Sequence, residues 1–386
     1  MDIDEPEHIR MLRDTISRFA QREMPREAAR LWDREDRIPW DVWDKLGELG
    51  LSALTVPEEY GGAGIDIRAT MVVIEELSRH SLAVSVPYIM CSCYAGMNLH
   101  ACATEAQKRE LLPRVAAGKL LFAYGLTEPD VGSDLASVKT TAVRDGDSLV
   151  VNGAKRFCSG ADVADYIYAL VRTGDADARY RNLSFVMIPP RSEGVHIELI
   201  DTMGVHGVRT TDVSFSNVRV PLDRLVGGDA AWNQGWGMLA GPGLDVEKIK
   251  VAAIALGIAT AAVEDAWSYS QERKQFGKAI CQYQSIRHKL AEMHTELHAA
   301  RLMVYHAATL IDAGKPCGVE TSMTKLFATE AAKRIALECQ TIMGAYGYAT
   351  EFPTERYVRD VLALPIFGGS SAIQKNNIVN WMGLPK

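Results

Sequence analysis

The chain has 386 residues, 47% of them hydrophobic and 24% charged, with a formal net charge of −7. That balance excludes a disordered or collagen-like chain, and the acidic excess argues against an electrostatic grip on nucleic acid. At roughly 150 residues per domain the length points to two or three domains.

The start, Met1-Asp2-Ile3-Asp4-Glu5-Pro6, is acidic. Secretory and mitochondrial targeting segments carry early positive charge, so the fold is expected to begin at once. Ile9, Leu12, Ile16 and Phe19 then recur at helical spacing. Trp40, Val42, Trp43, Leu46 and Leu49 give a second apolar face. Pro57 to Gly62 reads as a loop, and helical patterns resume at Ala69–Ser78 and continue, with breaks, to about Leu112. The unbroken apolar runs fall short of about 18 residues, so no membrane span is expected.

The pattern changes near residue 120. Val138–Val143, Leu149–Val151, Tyr166–Val171, Leu183–Ile188, Val195–Ile200 and Val213–Phe215 are short and β-rich, at spacings that predict a β-sandwich or barrel. Helix returns after about residue 230. Ile286, Leu290, Met293 and Leu297 form the seam of a long bundle helix, and Lys333 to Met343 is a further helix closed by Gly344 and Gly347. Blocks of one type argue against a doubly wound α/β sheet. The predicted domains are residues 1–120, 121–229 and 230–386.

The cysteines are Cys91, Cys93, Cys102, Cys158, Cys281, Cys317 and Cys339. They are odd in number and scattered, which fits reduced thiols in the cytoplasm rather than a disulfide scaffold or zinc knuckles. His294 and His298 stand four apart, but Glu296 sits one place too late for the metalloprotease pattern, so no metal is expected. Lys333 and Arg334 read as surface charge.

Gly125-Leu126-Thr127-Glu128-Pro129-Asp130-Val131-Gly132-Ser133-Asp134 lies where helix gives way to strand. It is dense in backbone N–H groups and hydroxyls, which can meet a polar ring edge and a pyrophosphate. Its plainer reading is an ordinary Gly/Pro/Asp connection.

This loop resembles the first signature of the acyl-CoA dehydrogenase family of flavoproteins. Gly153-Ala154-Lys155-Arg156-Phe157-Cys158-Ser159 looks like the family's flavin-facing strand. Gln271-Glu272-Arg273-Lys274-Gln275-Phe276-Gly277 is similar to its Glu-Arg-x-x-Phe-Gly segment. Met343-Gly344-Ala345-Tyr346-Gly347-Tyr348 followed by Arg359-Asp360 looks like its second signature. The resemblance implies an N-terminal helical domain, a middle β-barrel or sandwich domain and a C-terminal four-helix bundle. It also implies FAD bound between subunits of a homotetramer, a dimer of dimers.

Carried onto this chain, the family pattern puts Tyr124, Leu126, Thr127, Gly132 and Ser133 at the cofactor, with Thr127 on the flavin pyrimidine edge. Phe157 would shield the flavin face, with Cys158 beside it and Ser159 near N5. Arg273 of a neighbouring subunit would pair with the pyrophosphate, with Gln275 and Phe276 adjacent. Gln284, Thr341, Gly344 and Ala345 would hold the adenosine half, with Ser370 and Ala372 close by. Departures are Val131 for a small residue, Phe157 for Trp, Ser159 for Thr, Thr341 for Gln, and Ala345 for Gly. Ala372 also stands where a polar residue is common.

The family reaction removes the α proton of an acyl thioester and passes the β hydride to flavin, which needs a carboxylate at the α carbon. Many members carry it in a Tyr-Glu-Gly-Thr stretch. Here the matching stretch is Phe367-Gly368-Gly369-Ser370, and Gly368 offers only its N–H, which in the family helps bind the thioester carbonyl. Leu244-Asp245-Val246-Glu247-Lys248 resembles the stretch that carries the base in isovaleryl-CoA and long-chain members, and Glu247 matches that position. On residues alone, Glu247 is also a common first-turn helix carboxylate.

Ser133, Asp245 and Lys248 would stand along the pantetheine and its entrance, with Gly369 also at the substrate. Tyr88 and Tyr94 would line the acyl end. The expected function is dehydrogenation of an acyl-CoA to the trans-2-enoyl-CoA, with an electron-transfer flavoprotein as acceptor. Rival readings are an enoyl-CoA reductase, atypical thioester chemistry such as desulfination, and a catalytically idle partner subunit.

Overall fold

The computed structural model describes residues 5–240 and 242–384; Met1 to Asp4 of the acidic start, and Pro385 and Lys386, lie outside them. The first block is helical, with Glu7–Glu23, Arg26–Glu35, Trp40–Glu48, Ile67–His80 and Glu105–Ala116 as its regular helices. Pro6, Pro25 and Pro39 stand immediately before the first three, where a fixed φ and a missing N–H stop a helix from running further back. Ile9, Ile16 and Phe19 are buried as their spacing predicts. The loop at Pro57–Gly62 follows β1 (Thr55–Val56), which pairs with β2 (Gly64–Ile65).

A continuous helical run, Leu82–Cys102, has a mean hydropathy of 1.3 and is apolar and long enough to cross a membrane. Ser85, Ser92 and Asn98 interrupt its apolar residues in the sequence. The run is 83% buried inside the protein, so it serves as a core helix. Its middle, Met90–Met97, is wound as a π-helix, a geometry often found at functional sites.

The predicted β domain is built on one curled, mixed sheet of seven strands. Its strands are β3 (Phe122–Gly125), β4 (Thr141–Asp145), β5 (Ser148–Lys155), β6 (Tyr166–Arg172), β7 (Leu183–Ile188), β8 (Val195–Leu199) and β9 (Thr211–Pro221). The order is β3-β6-β4-β5-β9-β8, with β7 also on β6. The parallel partner β3 escapes a sequence reading because its four residues are too few to alternate visibly.

Alternation along β6 sends Tyr168 and Leu170 into the main helical core. Ile167, Ala169 and Val171 enter a second core on the other face. At Gly153 the β5–β9 ladder shifts register. Gly153 has φ +142°, and a Cβ there would lie 2.6 Å from the Thr140 Cα, so only glycine lets β5 bend here.

The last block holds Pro242–Glu272, Gln284–Asp312 and Gly318–Met343, followed by Thr354–Ala363 and Ser371–Trp381. Leu290, Met293 and Leu297 are buried along the predicted seam. Pro242–Glu272 crosses Ile67–His80 at Gly257, where a Cβ would lie 2.3 Å from the Glu75 carbonyl oxygen. Next to this crossing Glu75 gathers Arg13 at 3.0 Å, Arg301 at 2.7 Å and the Tyr305 hydroxyl. Helices from the first and last blocks are thus locked together, which fixes the end of Pro242–Glu272 that carries Glu247.

Candidate active site

The first turns of Pro242–Glu272 run beside the π-helix and the end of β3. Between them lies a cavity of about 550 Å³ whose lining includes Tyr94, Tyr124, Met238, Glu247 and Lys250. Tyr94 and Tyr124 stack with ring centroids 3.8 Å apart. Asn98 Nδ2 donates to the Tyr124 hydroxyl at 2.5 Å and to the Tyr94 carbonyl at 2.8 Å, so this aromatic wall is held from behind. Burial raises the hydroxyl pKa of both tyrosines, which keeps them neutral.

Lys250 escapes the sequence reading. It lies one turn beyond Glu247 on the same helix face, a spacing that could have revealed it. Its residue is 1% exposed. Its Nζ is 2.5 Å from Glu247 Oε2 and 3.5 Å from the centroid of the Tyr94 ring. The contact with Glu247 is a close ion pair, but its angles fall outside hydrogen-bond geometry, and among the described residues the ammonium has no hydrogen-bond acceptor.

The loop before Ser371–Trp381 comes to the same place. Gly368 has φ +65°, and a Cβ on it would be 3.5 Å from Glu247 Oε1 and 3.0 Å from Val251 Cγ2. Lys325 Nζ donates to the Gly369 carbonyl at 2.8 Å, and Gln374 Nε2 donates to the carbonyls of Gly368 at 3.1 Å and Gly369 at 2.9 Å. Burial pulls the Lys325 pKa down to about 8, opposed by the negative charge of Glu247 and Glu330. The Ser370 hydroxyl accepts from Ile373 N–H at 3.4 Å and caps the next helix. Ala372 is exposed at its start.

One expected substrate contact is corrected. Tyr88 does not line the cavity; it is fully buried in the core, with its hydroxyl 3.3 Å from the Leu51 carbonyl. Asp245 and Lys248, expected along the pantetheine and its entrance, stand outside this cavity with their side chains turned to a neighbouring helix. Lys248 Nζ lies 3.1 Å from Asp245 Oδ1 and 4.3 Å from the centroid of the Trp381 ring, and Thr321 donates to Asp245 at 2.7 Å.

The signature loop is braced by a buried pair. Glu128 accepts from the N–H groups of Lys139 and Thr140, at 2.6 and 2.9 Å, and from Lys155 Nζ at 2.9 Å. Lys155 also reaches the Leu126 carbonyl at 3.1 Å, and Arg156 N–H donates to Thr127 O at 2.8 Å. Loop and β5 therefore form one rigid corner, with Leu126 and Thr127 half-buried and Gly132 and Ser133 exposed.

Beyond that corner Phe157 is 56% exposed at φ +59°. Ser159 Oγ lies 3.5 Å from Thr210 Oγ1. Cys158 turns its side chain into the sheet core, and Thr211 accepts from its N–H at 2.8 Å and donates to its carbonyl at 2.7 Å.

The remaining expected cofactor residues lie apart from the cavity. Arg273 precedes the hairpin of β10 (Lys274–Gln275) and β11 (Lys278–Ala279), and its guanidinium carbon is 5.6 Å from the centroid of the Tyr346 ring. Among the described residues Arg273 makes no ion pair. Phe276, at the hairpin tip, is 94% exposed. Gln284 opens its helix, Thr341 donates to the Leu337 carbonyl at 2.9 Å, and Gly344 at φ +61° ends Gly318–Met343 just before Ala345. A second cavity, of about 420 Å³, is lined by Asp36, Arg37, Asp162 and Arg209 among others and contains none of the expected residues.

Comparison with known proteins bears on this arrangement. The acyl-CoA dehydrogenase N-terminal, middle and C-terminal domain patterns match residues 6–119, 123–218 and 233–383. The chain is 37% identical to an acyl-CoA dehydrogenase of Bacillus subtilis (strain 168), over 95% of each chain. It is 34% identical, over 96% of each chain, to the caffeyl-CoA reductase-Etf complex subunit CarC of Acetobacterium woodii. Its fold superposes on the glutaryl-coenzyme A dehydrogenase glutaryl-CoA complex with a TM-score of 0.95 and 33% identity, covering 100% of this chain and 98% of that one.

Proposed function

The chain belongs to the acyl-CoA dehydrogenase family, and we propose that it oxidises an acyl-CoA thioester to the trans-2-enoyl-CoA with Glu247 as base. The observation that carries this reading is the approach of Gly368 to Glu247. The two positions meet, and of the two only the helix supplies a carboxylate, which lines the cavity.

The residues present fit FAD. Phe157 offers an exposed ring beside the rigid corner, Thr127 and Ser159 offer hydroxyls, and Arg273 offers a guanidinium for a pyrophosphate. FAD, when bound, supplies the hydride acceptor for the β carbon. Gly344 and Gln284 would serve the far half of the cofactor, from a second subunit of a homotetramer. Glu247 accepts the α proton. The Gly368 N–H donates to the thioester carbonyl, steadied by the anchoring of its loop to Lys325 and Gln374. The Tyr94–Tyr124 wall holds the acyl group and keeps water from the α carbon. An electron-transfer flavoprotein is the proposed acceptor, in line with the relative named for its complex with Etf.

The same relative is named a reductase, which supports the opposite direction as the second reading. Anaerobic titration of the flavin-loaded protein with saturated acyl-CoAs of varied length and branching tests the first. Bleaching of the flavin by at least one saturated thioester is expected. Failure with all of them, alongside turnover of an enoyl-CoA by reduced flavin, would establish the second.

A further inference from the structure

Lys250 is a cation built into the wall of the cavity. Its surroundings are mostly apolar or aromatic: the Tyr94 face at 3.5 Å, the Tyr124 ring at 5.6 Å, and Cys93 and Met97 on the same lining. An ammonium removed from water in this way needs an anion or hydrogen-bond acceptors. Glu247 is the one carboxylate of the lining in contact with it, at 2.5 Å, and that contact leaves the ammonium protons without a well-aligned acceptor.

This pairing conflicts with catalysis. A carboxylate clasped by an ammonium is held away from the α carbon it must reach. If Glu247 turns to an acyl group made only of hydrocarbon, Lys250 is left buried beside apolar surface. A second buried nitrogen on the same lining, His100 Nδ1, also has no hydrogen-bond partner among the described residues. Nothing about a hydrocarbon pocket calls for either group.

We propose that the cavity selects acyl thioesters carrying a carboxylate on the acyl chain, and that Lys250 is its counterion. The substrate carboxylate takes Glu247's place on the ammonium, and Glu247 is thereby released toward the α carbon. Binding of the right acyl group and freeing of the base become one event. This rests on the dehydrogenase reading above, and it assigns the substrate class that reading leaves open.

The test compares carboxylated and plain thioesters of equal chain length, glutaryl-CoA against pentanoyl-CoA and adipoyl-CoA against hexanoyl-CoA. The flavin-loaded wild type is measured beside Lys250→Met and Lys250→Arg, with dye reduction for kcat/KM and calorimetry for binding. Wild type should favour the carboxylated member by roughly tenfold or more. Lys250→Met should lose that preference while keeping its flavin, and Lys250→Arg should retain it. Equal use of both members by wild type, or a parallel fall for both in Lys250→Met, would overturn the proposal. If no thioester bleaches the flavin, the dehydrogenase reading fails, and the binding preference and its loss in Lys250→Met still decide the role of Lys250.

Discussion

A Cβ on Gly368 would stand 3.5 Å from Glu247 Oε1, so a loop residue meets, more than a hundred positions away in sequence, the helix carboxylate that lines the cavity. The loop position is glycine, with φ +65°, and a Cβ there would lie only 3.0 Å from Val251 Cγ2. Gly368→Ala is therefore expected to cost about 1–2 kcal/mol through its left-handed backbone. It should also lower kcat, because the added methyl presses on Val251 at 3.0 Å and shifts the loop N–H that meets the thioester carbonyl. Thermal unfolding and steady-state turnover check both effects; an unchanged kcat would show that the loop N–H does not need its present placing.

Lys325→Met removes the ammonium that fixes the Gly369 carbonyl at 2.8 Å. Gln374 Nε2 remains as a donor, so the stability cost should be modest, about 1–2 kcal/mol. The larger effect should fall on kcat/KM for acyl-CoA, because the loop then holds its N–H less firmly. Flavin content should stay at the wild-type level.

The pH dependence of stability should carry the mark of His206. Its Nδ1 lies 3.3 Å from Asp33 Oδ1, and its Nε2 donates to the Thr202 carbonyl at 2.8 Å. The bond to Asp33 outweighs burial and lifts the imidazole pKa to about 9. Since this folded value lies above the unfolded value of about 6.5, the stabilisation is complete below about pH 6.5 and is lost as pH rises through 9. Allowing for solvent screening, the loss should be about 1 kcal/mol, or about 2 °C in Tm. His206→Gln should lower Tm at pH 6 and flatten this alkaline decline.

Glu75→Ala should be the most damaging of these changes. Glu75 is 1% exposed, and its removal leaves Arg13 and Arg301 without their shared anion. Breaking such a buried set costs about 3–5 kcal/mol. Differential scanning calorimetry should record a large fall in Tm, with Glu75→Gln falling between the variant and wild type.

Much of the block architecture was legible in the sequence because apolar spacing reports which face of an element is buried. Ile9, Ile16 and Phe19, and later Leu290, Met293 and Leu297, are buried where their spacing predicts. β3 was hidden by its shortness. Site residues divide in a similar way. Tyr94, Tyr124 and Glu247 line one cavity. The rotation of Asp245 and Lys248 toward Thr321 could not be read, because it depends on where the helix Gly318–Met343 packs. Tyr88 is drawn into the core for the same kind of reason. Lys250 was visible as a spacing, but its burial against Tyr94 needed the fold.

The most direct measurement is the anaerobic half-reaction of Glu247→Gln beside wild type, followed by flavin absorbance as saturated acyl-CoA is added. The substitution keeps size and polarity while removing the base. The account predicts that the variant stays yellow, binds the thioester and loses flavin bleaching by at least about a thousandfold in rate, within the range that general-base catalysis supplies. Bleaching at the wild-type rate would contradict it and require a base outside the helix Pro242–Glu272.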